Sequence, residues 1–245
     1  LFQEYQRYLS IKGVELQKAR EDYNRAATKE DSVKYEAVYT QKNKELNEYR
    51  SLTIQNNPES MLAAFFNAMN YPETLHKKPV SRQDTIDNYN HYRAHYWDGV
   101  TFMDARIIRT PFFLPKFERY YREVLPQAPD SLIKDFDYKL LLARNAPDMY
   151  KFMLNWLTDE YLNPKYMGQD RILVHLFNKY HSQGLTSWLN EKQQETIRRR
   201  AYMVMLNLVG EKAANLEMLD STNKPKNLYD QSGEYTLVVF WDPSC

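Results

Sequence analysis

The sequence predicts a mainly α-helical protein: a long helical hairpin plus a multi-helix bundle, with a short β segment at the C-terminal end. Three observations carry this. Glycine is scarce, six residues in 245 and none between Gly13 and Gly99, so long stretches lack the residue that most readily interrupts a helix. Apolar residues recur at spacings of three and four over most of the length. From Thr236 to Trp241 the pattern becomes an uncharged β-branched and aromatic run, as expected of a strand buried on both faces.

In order along the chain, Tyr5, Leu9, Leu16, Ala19, Tyr23 and Ala26 form a heptad-like stripe, with Lys12 filling the gap. Thr28-Lys-Glu-Asp31 reads as a capping box that opens a second helix, with Tyr35, Tyr39, Leu46 and Tyr49 on one face. The two helices are expected to pair as antiparallel arms, each roughly 35–40 Å long at about 1.5 Å per residue. Asn57-Pro58 predicts the start of a short core helix over 59–69, and Tyr71-Pro72 its end. Lys77-Lys-Pro-Val80 marks a boundary, and Ser81-x-x-Asp84 is another capping box. Helices are then expected at 82–97, 111–124, 131–144, 148–162, 169–181 and 190–208. Gly184 and Gly210 stand where helix ends favour a left-handed residue. The expected organisation is a hairpin and short core helix over 1–76, a helical region over 81–209, and a C-terminal segment over 210–245.

Composition removes several function classes. The 33 Lys and Arg nearly cancel the 32 Asp and Glu, leaving +1, unlike the large basic excess of a general nucleic-acid binder. Arg198-Arg-Arg200 is the only dense basic run, and it reads as a solvated helical face. No run of about 18 apolar residues suggests a membrane span, and no signal segment opens the chain. Leu1 falls within an amphipathic pattern, which is compatible with an anchor upstream. The single cysteine, Cys245, cannot form a disulfide within the chain.

Candidate chemistry falls in two places. His91 and His95 lie four apart on one helical face, preceded by Asp87, a spacing that can ligate a metal. No third ligand is identifiable, so no metal is assigned and the pair is expected to cap or hydrogen-bond near a helix end. Asp98, Asp104, Arg106 and Arg109, beside Trp97 and Phe102, suggest a polar cluster. It reads either as a docking surface built from arginine forks and aromatic plates, or as an ion-paired loop that fixes a turn. The second place is the C-terminus, where Thr236 to Trp241 runs into the turn signal Asp242-Pro243 and then Cys245. A thiol just beyond a buried strand, at a helix start, has its thiolate favoured by the unpaired N–H groups of that helix.

Phe240-Trp241-Asp-Pro-Ser-Cys245 resembles the Phe-Trp-x-x-x-Cys that opens the active site of thioredoxin-like proteins. The lead-in, Gly210-Glu-Lys-Ala-Ala-Asn-Leu-Glu-Met-Leu-Asp220 with Asn227-Leu-Tyr-Asp230, is similar to the hairpin before that strand in envelope thiol-disulfide oxidoreductases related to peroxiredoxins and cytochrome-c-maturation proteins. His91-Tyr-Arg-Ala-His-Tyr-Trp-Asp98, Asp104-Ala-Arg-Ile-Ile-Arg-Thr-Pro111, Pro129-Asp-Ser131 and Met167-Gly-Gln-Asp170 resemble an uncharacterised helical domain found ahead of such thioredoxin-like domains.

The resemblance implies an accessory helical region that spaces, dimerises or presents substrate, followed by the first edge of a thioredoxin-like domain cut at its active site. In the intact parent it makes Cys245 the attacking thiol, with Trp241 and Pro243 shaping its surroundings and a later cysteine resolving the mixed disulfide. It implies a bacterial envelope location, a redox partner or unfolded thiol substrate, no cofactor and, as cut, no activity. The alternative expectation is a helical module that binds a peptide or ligand near 91–113 and has no redox role.

Overall fold

The computed structural model describes residues 1–231, 233–242 and 244. Nine α-helices and one two-stranded sheet are present among the described residues, so the mainly α class holds. The chain divides into two compact units, 1–155 and 156–245. No helix among the described residues is long and apolar enough to cross a membrane.

The first unit opens with the hairpin, α1 (Phe2–Asn24) and α2 (Lys29–Asn56). Thr28 caps α2 by accepting the Asp31 N–H at 3.1 Å, as the capping-box motif predicts. The arms run antiparallel: Tyr8 stacks on Tyr49 with ring centroids 4.0 Å apart, and farther out Lys12 reaches Glu45 at 3.3 Å and Lys42 reaches Glu15 at 2.9 Å. Lys12 occupies an apolar slot in the stripe, and Glu15, Glu45 and Lys42 complete a ring of alternating charge around it. Hydrogen bonds to Glu15 and Glu45 raise the Lys12 pKa, those from Lys42 and Lys12 lower that of Glu15, and Glu45 is lowered first by a hydrogen bond from Gln41 and then by Lys12. The ring is solvated, so its energetic worth is small and its main effect is on register.

Helix α3 (Met61–Met69) closes the base of the hairpin, packing Leu62 and Phe66 against Tyr5. The Asn57-Pro58 expectation is corrected here. Asn57 belongs to the end of α2, its N–H still bonded to Thr53 O, and Ser60 caps α3 by accepting from the Ala63 N–H. Both residues have capping chemistry; the extra turn between them decides which one acts.

Helix α4 (Arg82–Ala94) begins at Ser81 with the full predicted capping box, and hydrogen bonds from Ser81 and from backbone N–H groups hold the Asp84 carboxyl below its ordinary range. It stops three residues short of the expected Trp97, because the chain turns at His95 and reaches Gly99 with φ +74°. A 3₁₀ turn (Ala105–Arg109) leads to α5 (Phe113–Arg119), whose last stretch widens into a π turn, Tyr120–Val124. Helix α6 (Pro129–Ala143) starts two residues earlier than expected, with proline at a first-turn position where its missing N–H costs nothing. The unit's core gathers Phe66, Phe113, Phe117, Phe136, Leu140, Met149 and Met153, all at most 1% exposed.

Helix α7 (Pro147–Leu162) carries the chain into the second unit. There α8 (Asp170–Leu176) also ends in a π turn, Phe177–His181, and α9 (Glu191–Met205) starts at Asn190 with a capping box. Leu173, Phe177, Ile197 and Ala201 form this unit's buried cluster. Gly184 and Gly210 adopt φ +71° and +88°, the left-handed stops that the sequence predicts.

Strands β1 (Glu217–Leu219) and β2 (Pro225–Asn227) make an antiparallel hairpin with Leu219 opposite Pro225. The strand expected over 236–241 is not formed. Those residues are unpaired, with Leu237, Phe240 and Trp241 79–88% exposed, because no neighbouring strand satisfies their backbone.

Candidate functional site

The His91–Phe113 segment leaves α4, crosses a turn and enters α5, and the structure gives each candidate residue a place. The rings of His91 and His95 lie 4.4 Å apart, as the one-turn spacing requires. His95 Nδ1 is 2.7 Å from Asp98 Oδ2, which leaves Nε2 as that ring's free nitrogen. Both histidines and Asp98 line an open cleft of about 460 Å³ together with Asn67, Asn70, Tyr71 and Glu73. Pro72 and Gly99 complete the wall, and at Gly99 an added Cβ would lie 2.6 Å from Asn67 Oδ1; the close approach of α3 to this turn depends on its bare backbone. No group of three His, Cys, Asp or Glu among the described residues could hold a metal ion.

The expected polar cluster separates into local pairs. Asp104 accepts Arg106 Nε at 2.8 Å and the Arg106 backbone N–H at 3.0 Å, and this arginine holds the carboxyl below its ordinary range. The same guanidinium reaches Glu59 O at 3.3 Å, tying the 3₁₀ turn to the start of α3. Arg109 instead lies 3.8 Å from Asp148, and Asp98 is engaged with His95. These are short-range contacts of a folded loop, made where backbone and charge satisfy each other locally. Trp97 and Phe102 pack edge to face at 5.1 Å, Phe102 is buried, and the buried indole N–H of Trp97 meets no hydrogen-bond partner among the described residues.

Behind the cleft lies a residue that sequence reading missed. Lys116 is fully buried, donates to Asn70 O at 2.5 Å and rests 4.9, 5.3 and 5.7 Å from the ring centres of Tyr71, Tyr96 and Trp97. Desolvation pulls its pKa down to about 8, against a smaller upward pull from Asp98. Tyr96, also fully buried, donates to Lys116 O at 2.9 Å, and burial raises its phenol well above the ordinary range. Arg119 covers the outer side, 5.4 Å from Tyr71 and 6.0 Å from Tyr92. Behind Asn70 and Tyr71, which line the cleft, a cation is therefore held among aromatic faces.

A second buried lysine lies deeper in the unit. Lys139 donates to Asp135 at 2.5 Å, and the phenols of Tyr120 and Tyr121 donate to the two oxygens of that carboxylate at 3.0 Å each. Desolvation lowers the Lys139 pKa even with this partner. In the second unit, half-buried His181 has Thr158 Oγ1 at 2.9 Å and Thr186 Oγ1 at 3.2 Å, and desolvation lowers its pKa to about 4. A signal for both lysines exists in the sequence: each occupies a position between apolar residues three or four away, where helical spacing demands burial.

At the C-terminal candidate, Asp242 does begin a turn, accepting the Ser244 N–H at 2.8 Å and the Ser244 hydroxyl at 2.7 Å. Trp241 is exposed, while Pro243 and Cys245 lie outside the described residues. Comparison with known proteins finds no matching family model, no matching curated protein and no matching solved structure.

Proposed function

We propose that the helical region is the accessory part of a bacterial envelope thiol-disulfide oxidoreductase, placed ahead of a thioredoxin-like domain whose first strand is 236–241. The observation that supports this is the uncharged run Thr236–Trp241, unpaired and exposed, leading into a turn at Asp242. Six such residues are a poor loop, and their chemistry suits the centre of a sheet. The hairpin of β1 and β2 lies just ahead of them, as the thioredoxin-like resemblance expects.

In this reading the Cys245 thiolate attacks one sulfur of a substrate disulfide. A new S–S bond forms, the old one breaks, and the departing sulfur leaves as a thiolate that takes a proton from water. A second thiol, from the redox partner or from the resolving cysteine that the resemblance implies, then attacks Cys245 and releases reduced substrate. The helical region spaces this chemistry from an anchor, pairs two copies or presents the substrate.

The test is reduction of insulin by the full cellular form of the protein with dithiothreitol as reductant. Cys245→Ser is expected to abolish it while far-ultraviolet circular dichroism stays unchanged; retained activity would sink the assignment. The cleft lined by Tyr71, His91, His95 and Asp98 favours a second reading, a peptide-binding module without redox chemistry. In that case a reduced unfolded peptide protects 91–113 from hydrogen exchange in wild type and Cys245→Ser alike.

A further inference from the structure

Helix α9 carries apolar residues on two sides, and only one side is covered. Ile197 and Ala201, with Val204 and Met205 beside them, pack on Leu173 and Phe177. Met203 and Leu206, with Val209 just past the helix end, are 57–66% exposed, and Tyr202 beside them, its ring meeting Phe177 edge to face at 5.5 Å, is 55% exposed. Residues 201–210 contain no charge, whereas Arg198, Arg199 and Glu195 occupy the preceding turns. The bare side therefore begins where the charges stop.

We infer that this end of α9 is the seat for the sheet formed on strand 236–241, so that the strand leading to Cys245 rests directly on the helical region. Three observations select this occupant. The strand is apolar on both faces, since Leu237 and Val239 alternate with Val238 and Phe240, so a sheet containing it needs a cover on each side. Only 26 residues separate Val209 from Thr236, a tether that gives an effective concentration in the millimolar range. A second copy is a poorer occupant, because four side chains offer far less than the roughly 800 Å² per partner of a stable interface. The inference rests on the proposal that 236–241 is a sheet strand; it adds what that sheet stands on.

The experiment is hydrogen exchange on the full cellular form, comparing wild type with Leu206→Asp and with Met167→Asp, an exposed control site in the same unit. In wild type the amides of 237–241 are expected to be protected. Leu206→Asp should speed their exchange about tenfold, with the control unchanged, because loss of the seat lowers the local opening energy. Amides that are unprotected in wild type, or equally protected in Leu206→Asp, would overturn the inference. So would protection that grows with protein concentration, which marks a second copy. The redox proposal fails separately, through insulin reduction surviving in Cys245→Ser, so each idea can fall without the other.

Discussion

Lys116 is a charge that the fold carries at a cost, and Lys116→Met measures that cost. The lysine is fully buried, with one carbonyl acceptor and three aromatic faces but no carboxylate in contact. Its pKa falls from 10.5 to about 8 on folding. The unfolded chain therefore binds the proton more tightly than the folded one, and stability rises with pH between about 8 and 10.5. At pH 7 the penalty is nearly complete, about 3 kcal/mol at 1.36 kcal/mol per pKa unit.

Methionine keeps the length and adds sulfur–ring contact, but it leaves Asn70 O to find water at a cost of about 1 kcal/mol. The variant is therefore expected to gain about 1–2 kcal/mol at pH 7. Urea unfolding at pH 7 and 9.5 supplies the sharper test. Wild type should gain about 2 kcal/mol relative to the variant over that interval. Buried tyrosines Tyr96 and Tyr120, whose raised pKa values act in the opposite sense above pH 10, cancel in the difference. A variant that loses more than about 2 kcal/mol at pH 7, or that shows the same pH dependence as wild type, refutes the argument.

Three more outcomes are expected. Gly99→Ala forces a Cβ to 2.6 Å from Asn67 Oδ1 at positive φ and should cost about 1–3 kcal/mol in urea unfolding, with Asn67→Ala recovering part of it. His181 has a lowered folded pKa, so its contribution is complete above about 6.5 and is lost as pH falls toward 4. Wild type should lose about 2 kcal/mol between pH 7 and 4.5 that His181→Gln does not. Arg106→Ala removes a pair between an exposed guanidinium and the half-buried Asp104, which keeps the residue 106 backbone N–H as a donor, and two long contacts to Glu59 O, so thermal unfolding should register about 1 kcal/mol.

Local rules made much of the fold legible. Thr28 and Ser81 announce their helices because a capping side chain and its N3 partner lie within one turn. The hairpin is readable because its stripe repeats over several heptads. Strand 236–241 was legible as chemistry but is unpaired among the described residues, since a strand forms only where another backbone pairs with it. The polar cluster could be read from sequence only as two alternatives, docking surface or ion-paired loop: Arg106 and Arg109 are three residues apart, and it takes the fold to show that the 3₁₀ turn sends one to Asp104 and the other to Asp148. Lys116 and Lys139 were hidden by their own charge, although their spacing placed them inside.

The two π turns have a consequence for aligning this sequence with any other. Each ends an α-helix, at Tyr120–Val124 and at Phe177–His181, and each closes its backbone bonds over one residue more than an α turn does. Such a turn is what a helix becomes when it absorbs a single inserted residue without breaking. A counterpart lacking that residue would continue as plain α-helix, and everything after position 124 would then match one place out of step. At the first of these turns neighbouring Tyr120 and Tyr121 both reach the Asp135 carboxylate. Gaps placed at 120–124 and 177–181, inside helices where gaps are usually forbidden, are therefore the ones that an alignment of this chain should permit.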